Sequence, residues 1–341
     1  MTAPGRSLWR DPRIGLGVLI TLLAVAWSLR GIDLAAFGAA LASAKLGLVV
    51  PGSLACHAAA LGIRSLRWRH LAAGVGPLPL RVAYRATAIR FMGNNLFPFR
   101  LGELAGAWFA ARDAGGSPAA WFGTIVLERA FDMAAVMSLA AFLLIGHIEV
   151  PPLLRVLAFV PILGIAALRI WPRVFLGVAG ALLARLPGPL GARARGLLEH
   201  VAAGLSGIRD VRGLALVLLH TAVLWGGAAT LPFYLAQHAF GIELGSFAAD
   251  YVAALQTMVG VGIAVALPQA PGFVGVYHFA CREILTALGV PGAMALAVGT
   301  LAHALFWLSI TALGLLALRG SRASLAEAVQ GASAGGDPKR P

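Results

Sequence analysis

Charged residues are scarce in this chain. Only 12% of its 341 residues are Asp, Glu, Lys or Arg, whereas 59% are hydrophobic. Soluble globular domains carry roughly 25% charged residues, so this composition excludes an ordinary soluble enzyme and indicates a membrane protein. The 27 basic residues outnumber the 14 acidic ones, but they lie in short segments between apolar runs. That distribution is typical of the positive-inside bias and not of a nucleic-acid-binding arm.

Cysteines and enzyme signatures are equally sparse. Cys56 and Cys281 are the only cysteines, and both fall in apolar stretches, so we interpret them as small buried hydrophobes without a disulfide or metal-ligand pattern. The chain has no H-E-x-x-H, no G-x-S-x-G, no Walker loop and no dinucleotide-binding glycine motif. We therefore predict no catalytic residue, no metal site and no cofactor. No small-residue cleavage site follows the first apolar run, which we interpret as a retained span.

The apolar runs predict an all-α polytopic membrane protein, because a helix needs about 20 apolar residues to cross the hydrocarbon core. The expected full spans are 14–29, 46–63, 119–145, 153–170, 213–236 and 292–318. Two further apolar regions, 83–111 and 247–290, are interrupted by Pro, Gly and polar residues, and we expect each to form a helical hairpin, either re-entrant or spanning. The segment 174–186 is short enough to be an interfacial helix. The prediction is one transmembrane domain over 1–320, followed by a disordered cytoplasmic tail at 321–341.

The arginines predict an orientation in the cell membrane. Putting every arginine-rich loop in the cytoplasm places both termini inside. The blocks 46–145 and 213–318 then share one plan, a span, a broken hairpin and a span, and are related by inversion. Paired breaks of this kind point to a midplane transport site; the alternative is that both are ordinary proline kinks. The residues predicted to form the breaks are Pro98, Gly102, Pro268, Pro271, Gly272 and Gly275.

Charged residues inside an apolar run are the strongest functional signal. Glu128, Arg129 and Asp132 lie in the run 119–145 at spacings that share one helix face. Each charge at the bilayer centre costs about 2.5–3.5 kcal/mol unless it is neutralised. One interpretation is an ion-pair network that pins the first hairpin to this helix. The other is a polar cavity in which an arginine binds a lipid phosphate and the carboxylates bind a cationic group or a proton. The expected partners in the network are Arg90, Arg100 and Glu103.

Other polar residues surround the two breaks. Asn94 and Asn95 precede the first one, where their amides can satisfy backbone groups freed by Pro98. His278 and Arg282, four residues apart after the second break, can face one cavity. The complete set of candidate lipid-binding residues is Asn94, Asn95, Arg100, Glu103, Glu128, Arg129, Asp132, Gln269, Tyr277, His278, Arg282 and Glu283.

Four segments together resemble a known family. They are 64–68 (RSLRW), 94–103 (NNLFPFRLGE), 127–132 (LERAFD) and the Pro/Gly-rich stretch 267–275. In this order they are similar to the lysylphosphatidylglycerol synthase transmembrane-region family, whose members are also described as flippase-like. The resemblance spans nearly the whole chain. It implies a multi-span lipid-handling domain, with Arg100, Glu103, Glu128, Arg129 and Asp132 around the lipid path.

The chain also departs from that family. Lysyl-transferring members carry a large soluble domain after the membrane part, whereas only residues 319–341 follow the last apolar run here, so we expect no lysyl transfer. The family's Glu soon after the second break is replaced by Tyr277 and His278, with Glu283 later. Two functions stay open: a flippase-like transporter of an anionic phospholipid or lipid-linked intermediate, or a non-transporting partner that presents lipid to a separate membrane enzyme. The identity of the lipid, the direction of transport and the oligomeric state are not predicted.

Overall fold

The computed structural model describes residues 12–145, 160–183, 191, 208, 210–266 and 270–319, and the regular elements in these ranges are all helical. The α-helices are α1 (Pro12–Leu29), α2 (Leu34–Ala42), α3 (Leu46–Leu71), α4 (Leu80–Leu96), α5 (Gly102–Ala114), α6 (Pro118–Ile145), α7 (Val160–Ile170), α8 (Pro172–Leu183), α9 (Val211–Val223), α10 (Leu231–Ala239), α11 (Phe247–Ala264), α12 (Val276–Ala287) and α13 (Gly292–Leu318). The predicted all-α class is therefore confirmed for the described part of the chain.

Several of these helices are long and apolar enough to cross a membrane. Four of the described helices qualify: α3, α11, α13 and the continuous helix Val211–Ala239, in which a π-helical turn at Leu224–Ala228 joins α9 to α10. The pair α1 and α2, bent by 89°, gives a fifth candidate if it is counted as one span. The carboxylate of Asp33 accepts hydrogen bonds from Ala35 N and Ala36 N, so it caps α2 at this bend. The protein is thus a multi-pass membrane protein with four to five candidate spans.

One predicted boundary is wrong. The span expected to end at Ile63 continues as α3 to Leu71, which moves Arg64 and Arg67 from a loop onto a helix. The physical reason is that this last part of α3 is a buried face: Trp68 and Leu71 are almost wholly inaccessible, as is Arg67 itself. A helix whose arginines are neutralised by partners does not need to end where its hydropathy falls.

Each of the two interrupted regions is broken by a 3₁₀ turn. Between α4 and α5, a 3₁₀ turn at Pro98–Arg100 follows an extended Phe97, and Arg100 takes a left-handed φ of 56°. Between α11 and α12, a second 3₁₀ turn at Pro271–Phe273 is followed by the extended Val274. The predicted span 153–170 is described only from Val160, as the 11-residue helix α7. Within the predicted interfacial segment 174–186, the described residues belong to α8.

The described residues form two compact units. Unit 1 comprises the described parts of Met1–Ala60, Ala88–Glu103 and Gly226–Arg322, and unit 2 those of Leu61–Thr87 and Leu104–Trp225. In unit 1, α13 packs against α2, α10 and α12, and α12 also packs against α1 and α11. In unit 2, α6 packs against α7 and α9. The predicted repeat halves 46–145 and 213–318 stay a prediction.

Small residues allow the close packing in unit 1. A Cβ added at Gly299 of α13 would lie 2.7 Å from the Cβ of Cys281 on α12. Gly260 of α11 faces Ile284 in the same way, and Gly314 faces Met92. Close helix approach at small residues is the usual packing mode between membrane helices, because lipid tails offer no hydrophobic driving force for association.

Candidate functional site

Two helices bring five charged side chains together in unit 2. Arg64 and Arg67 lie three residues apart on α3, and Glu128, Arg129 and Asp132 lie within two turns of α6. Residues three or four apart share a helix face, so each helix presents its charges on one side. We call these five residues the charge cluster.

Asp132 contacts all three arginines of the charge cluster. Its Oδ2 accepts from Arg64 Nη1 at 2.8 Å, and its Oδ1 accepts from Arg67 Nη2 at 2.7 Å. Arg129 Nη2 lies 3.3 Å from Asp132 Oδ2 and 2.8 Å from Glu128 Oε1. Glu128 Oε1 is also within 3.3 Å of Arg67 Nη2 and 3.5 Å of Arg64 Nη1. Each carboxylate therefore contacts all three guanidinium groups.

Neutral side chains complete the surroundings of the charge cluster. Arg67 Nη1 donates to Thr221 Oγ1 on α9 at 3.0 Å, and Trp225 Nε1 donates to Asp132 Oδ1 at 3.1 Å. The guanidinium of Arg64 lies 5.4 Å from the centre of the Trp225 ring, within the range of a cation–π interaction. The π-helical turn that begins at Leu224 carries this tryptophan, so the irregular backbone there helps to hold Asp132.

The charge cluster has more positive than negative charge, and its exposure is uneven. The five residues are three arginines and two carboxylates, so the set has a formal charge of +1. The side chains of Arg67 and Glu128 are completely buried, whereas that of Arg129 is 29% exposed. Of the three guanidinium groups in the charge cluster, that of Arg129 is therefore the one that reaches the surface. Chemically, such an arrangement favours an anion with hydrogen-bond acceptors, such as a phosphate.

A second, smaller polar group lies in unit 1 at the end of α4. Asn94 Nδ2 donates to Glu103 Oε1 at 3.1 Å, and Glu103 Oε2 lies 3.5 Å from Arg90 Nε. All three residues are buried. A Cβ at Gly102 would collide with the backbone of Arg90 and Asn94, so only glycine lets α5 start this close to α4.

The two breaks in unit 1 approach each other. Arg100 Nη2 donates to the carbonyl of Val265 at 2.8 Å, at the C-terminal end of α11. A Cβ at Gly272, where φ is +77°, would lie 3.4 Å from the carbonyl oxygen of Asn95. The amide of Asn95 in turn donates to Thr311 Oγ1 of α13 at 3.3 Å. Residues predicted from the two separate breaks, Asn95 and Arg100 on one side and Gly272 on the other, thus belong to one region.

Aromatic and imidazole rings pack behind the second break. The ring of His303 lies 4.8 Å from that of Tyr277 and 4.9 Å from that of His278. His303 Nε2 is 2.6 Å from the carbonyl oxygen of Gly272, and His278 Nδ1 accepts from Gly275 N at 3.3 Å. Both histidines therefore satisfy backbone groups that the break removes from helical hydrogen bonding.

Arg282 and Glu283 contact α1 instead of the break. Arg282 donates to the carbonyl oxygens of Trp27 and Arg30, the latter at 2.9 Å, and Glu283 Oε1 accepts from Trp27 Nε1 at 3.3 Å. A cation on the last carbonyls of a helix is favourable because of the helix dipole. These contacts attach α12 to the C-terminal end of α1.

Sequence reasoning identified the α6 half of the charge cluster and missed the α3 half. Within unit 2, the partners of Glu128 and Asp132 include Arg64 and Arg67, which lie beyond the predicted end of the span 46–63. The available signal was the spacing of Arg64, Arg67, Trp68 and Leu71, which continues one helix face past Ile63. Pro268 and Gln269 lie outside the described residues, so their predicted roles stay predictions. Among the described residues, no group of three or more His, Cys, Asp or Glu side chains could hold a metal ion.

The helical spans and the buried charges define a multi-pass α-helical membrane protein. The chain matches the family model described as lysylphosphatidylglycerol synthase TM region over residues 14–314. It belongs to that family, as its motifs suggested. Among curated proteins and among solved structures, nothing matches the chain significantly.

Proposed function

We propose that this protein binds a phosphate-bearing lipid or lipid-linked headgroup and translocates it across the bilayer. The observation that carries the proposal is the charge cluster, in which three arginines are held against two carboxylates and Arg129 is partly exposed. A guanidinium held by two carboxylates is preorganised, so it can bind a phosphate without first losing side-chain freedom. The family match is to a transmembrane region, which supports lipid handling within the membrane.

The arrangement of the breaks supports transport. Both Pro/Gly-rich breaks lie in unit 1, and Arg100 ties the first break to the end of α11. Broken helices at a binding site are typical of secondary transporters built from inverted repeats. We therefore retain the inverted repeat of 46–145 and 213–318, with both termini in the cytoplasm, as part of the proposal. In it, Asn94, Asn95, Glu103, Tyr277 and His278 line or support the lipid path.

A second candidate function is presentation of lipid to a separate membrane enzyme without transport. The observation that favours it is the extent of ion pairing, because Glu128 and Arg67 are fully buried and paired. Charges held in this way can be structural, since breaking a buried pair is costly whatever its role.

The first test is lipid retention by arginine variants. Wild type, Arg129→Gln and Arg100→Ala are released from native-like membranes into a mass spectrometer, with Arg173→Gln, an exposed arginine of α8, as the matched control. We expect wild type and Arg173→Gln to retain one anionic lipid that Arg129→Gln loses, because the exposed guanidinium supplies the phosphate donors. A shift of about tenfold in retention corresponds to one charge-assisted hydrogen bond.

The second arm separates transport from presentation. Wild type is reconstituted in vesicles, and the transfer of a labelled anionic lipid between leaflets is compared with that in protein-free vesicles. Faster transfer that Arg129→Gln abolishes supports the flippase. Retention of lipid with no faster transfer favours presentation, and identical retention by all variants means that the charge cluster is structural.

A further inference from the structure

A cavity lies beside the segment that links α3 to α4, within unit 2. Its volume is about 600 Å³. The residues that line it include the basic pair Arg69 and His70 at the end of α3, together with the apolar Ala73, Pro77, Leu78 and Pro79. The cavity therefore combines positive charge with an apolar wall.

One hydrogen bond holds Arg69 in place and uses only its Nε donor. Its Nε donates to the carbonyl oxygen of Leu78 at 3.0 Å, which fixes the guanidinium against the cavity wall. Arg85 and Arg112 of the same unit both pair with Asp113. Arg69, in contrast, has no carboxylate partner among the residues that the structure describes. Its two Nη groups remain available to an anion.

This cavity is distinct from the charge cluster. Arg69 follows Arg67 by two residues on α3, which turns its side chain by about 200° around the helix axis. Arg67 is buried against Thr221 and the carboxylates of α6, whereas Arg69 is exposed. A ligand at Arg69 would therefore lie on the other side of α3 from the charge cluster.

His70 gives the cavity a second polar wall. Its ring stacks on that of His220, with centroids 5.8 Å apart and planes inclined by 26°. His220 is itself fixed, because its Nδ1 lies 2.6 Å from the carbonyl oxygen of Leu216. The stacked ring keeps the imidazole of His70 beside Arg69 and supplies a further hydrogen-bonding group.

We propose that this cavity binds the phosphate of an anionic phospholipid at the membrane surface. The planar guanidinium matches a phosphate, and the apolar wall suits the glycerol and upper acyl carbons that come with a lipid. The cavity adjoins the end of a candidate span, and the positive-inside bias places a span end flanked by arginines, here Arg69 in α3 and Arg81 in α4, among anionic headgroups. Cations in the last turn also stabilise a helix end, but that role requires no cavity. The site stands whether or not the protein transports lipid.

The test counts the lipids retained by the purified full chain during titration with phosphatidylglycerol. Two variants address the site: Arg69→Gln removes the charge, and Gly76→Leu occupies part of the cavity while keeping Arg69. Gly76 also lines the cavity, and a Cβ there meets nothing within 4 Å, so a side chain at this position begins in open space. Arg81→Gln, at an exposed arginine in the first turn of α4, is the matched control, and Arg129→Gln reports on the charge cluster.

We expect Arg69→Gln and Gly76→Leu each to weaken one bound phosphatidylglycerol by about tenfold, while Arg81→Gln behaves as wild type. Arg129→Gln should keep this lipid even when it loses another, which separates this site from the proposed function. Equal losses in Arg69→Gln and Arg81→Gln would mean general attraction to a basic surface and would overturn the site. Displacement of the lipid by millimolar glycerol 3-phosphate would reassign the cavity to a soluble phosphate and overturn the lipid assignment.

Discussion

Replacement of Asp132 by asparagine should destabilise the protein by about 3–5 kcal/mol, the usual effect of removing one partner from a buried ion pair. The asparagine side chain has nearly the same shape, but of the two carboxylates in the charge cluster only that of Glu128 would remain. Arg67 is completely buried, so water cannot solvate the charge that loses its partner. The measurement is the free energy of unfolding in detergent or lipid, by a denaturant titration with far-UV circular dichroism.

The matched control is Glu243→Gln, which neutralises an exposed carboxylate and should change stability by less than about 0.5 kcal/mol. The double variant Asp132→Asn with Arg64→Gln should recover part of the loss, because it returns the formal charge of the cluster to its wild-type value. If Asp132→Asn were as stable as Glu243→Gln, the charge cluster would not be an interdependent network.

Replacement of Gly275 by alanine should destabilise the protein by at least about 2 kcal/mol, from two independent causes. Gly275 has φ +82° and ψ −63°, a conformation that side chains other than glycine rarely adopt. Its Cβ would also lie 2.7 Å from the carbonyl oxygen of Thr21 and 3.2 Å from Val25 N, both backbone atoms of α1. Neither atom can move without displacing the helix, so we expect α1 to loosen from α12.

Gly123→Ala is the control for this second prediction. Gly123 lies within α6, and a Cβ there meets nothing within 4 Å, so alanine should be neutral or slightly stabilising. The readout is the thermal unfolding midpoint of both variants, combined with proteolysis of the α1–α2 segment. Equal midpoints for the two variants would contradict the close approach of the second break to α1.

The outcomes for individual residues show why sequence reasoning found only part of the site. Glu128, Arg129 and Asp132 were found because helical spacing is local and three charges in one apolar run are conspicuous. Arg64 and Arg67 were missed because each arginine lowers the mean hydropathy of the segment. The predicted span therefore ends at Ile63, although α3 continues to Leu71. The carboxylates that remove this cost are more than 60 residues away in sequence, where no local pattern registers them.

The two helix breaks show the same contrast between features that local sequence predicts and contacts that only the tertiary structure shows. Proline and glycine marked both interruptions, since Pro removes a hydrogen-bond donor and Gly permits a positive φ. The contacts that satisfy the freed backbone groups could not be predicted. They include His303 to Gly272 and Arg100 to Val265, and each joins residues that are 31 or more positions apart.

The sequence by itself determined the membrane class, the helical architecture, the family and the α6 half of the charge cluster, because composition and helical periodicity are properties of short segments. Only the tertiary structure decided which arginines neutralise Asp132, that Arg129 is the exposed member, and that Arg69 lines a cavity on the other side of α3. Those properties depend on which distant side chains share a buried volume. Burial and the partners it brings determine whether a charge destabilises the fold or is available to bind a ligand.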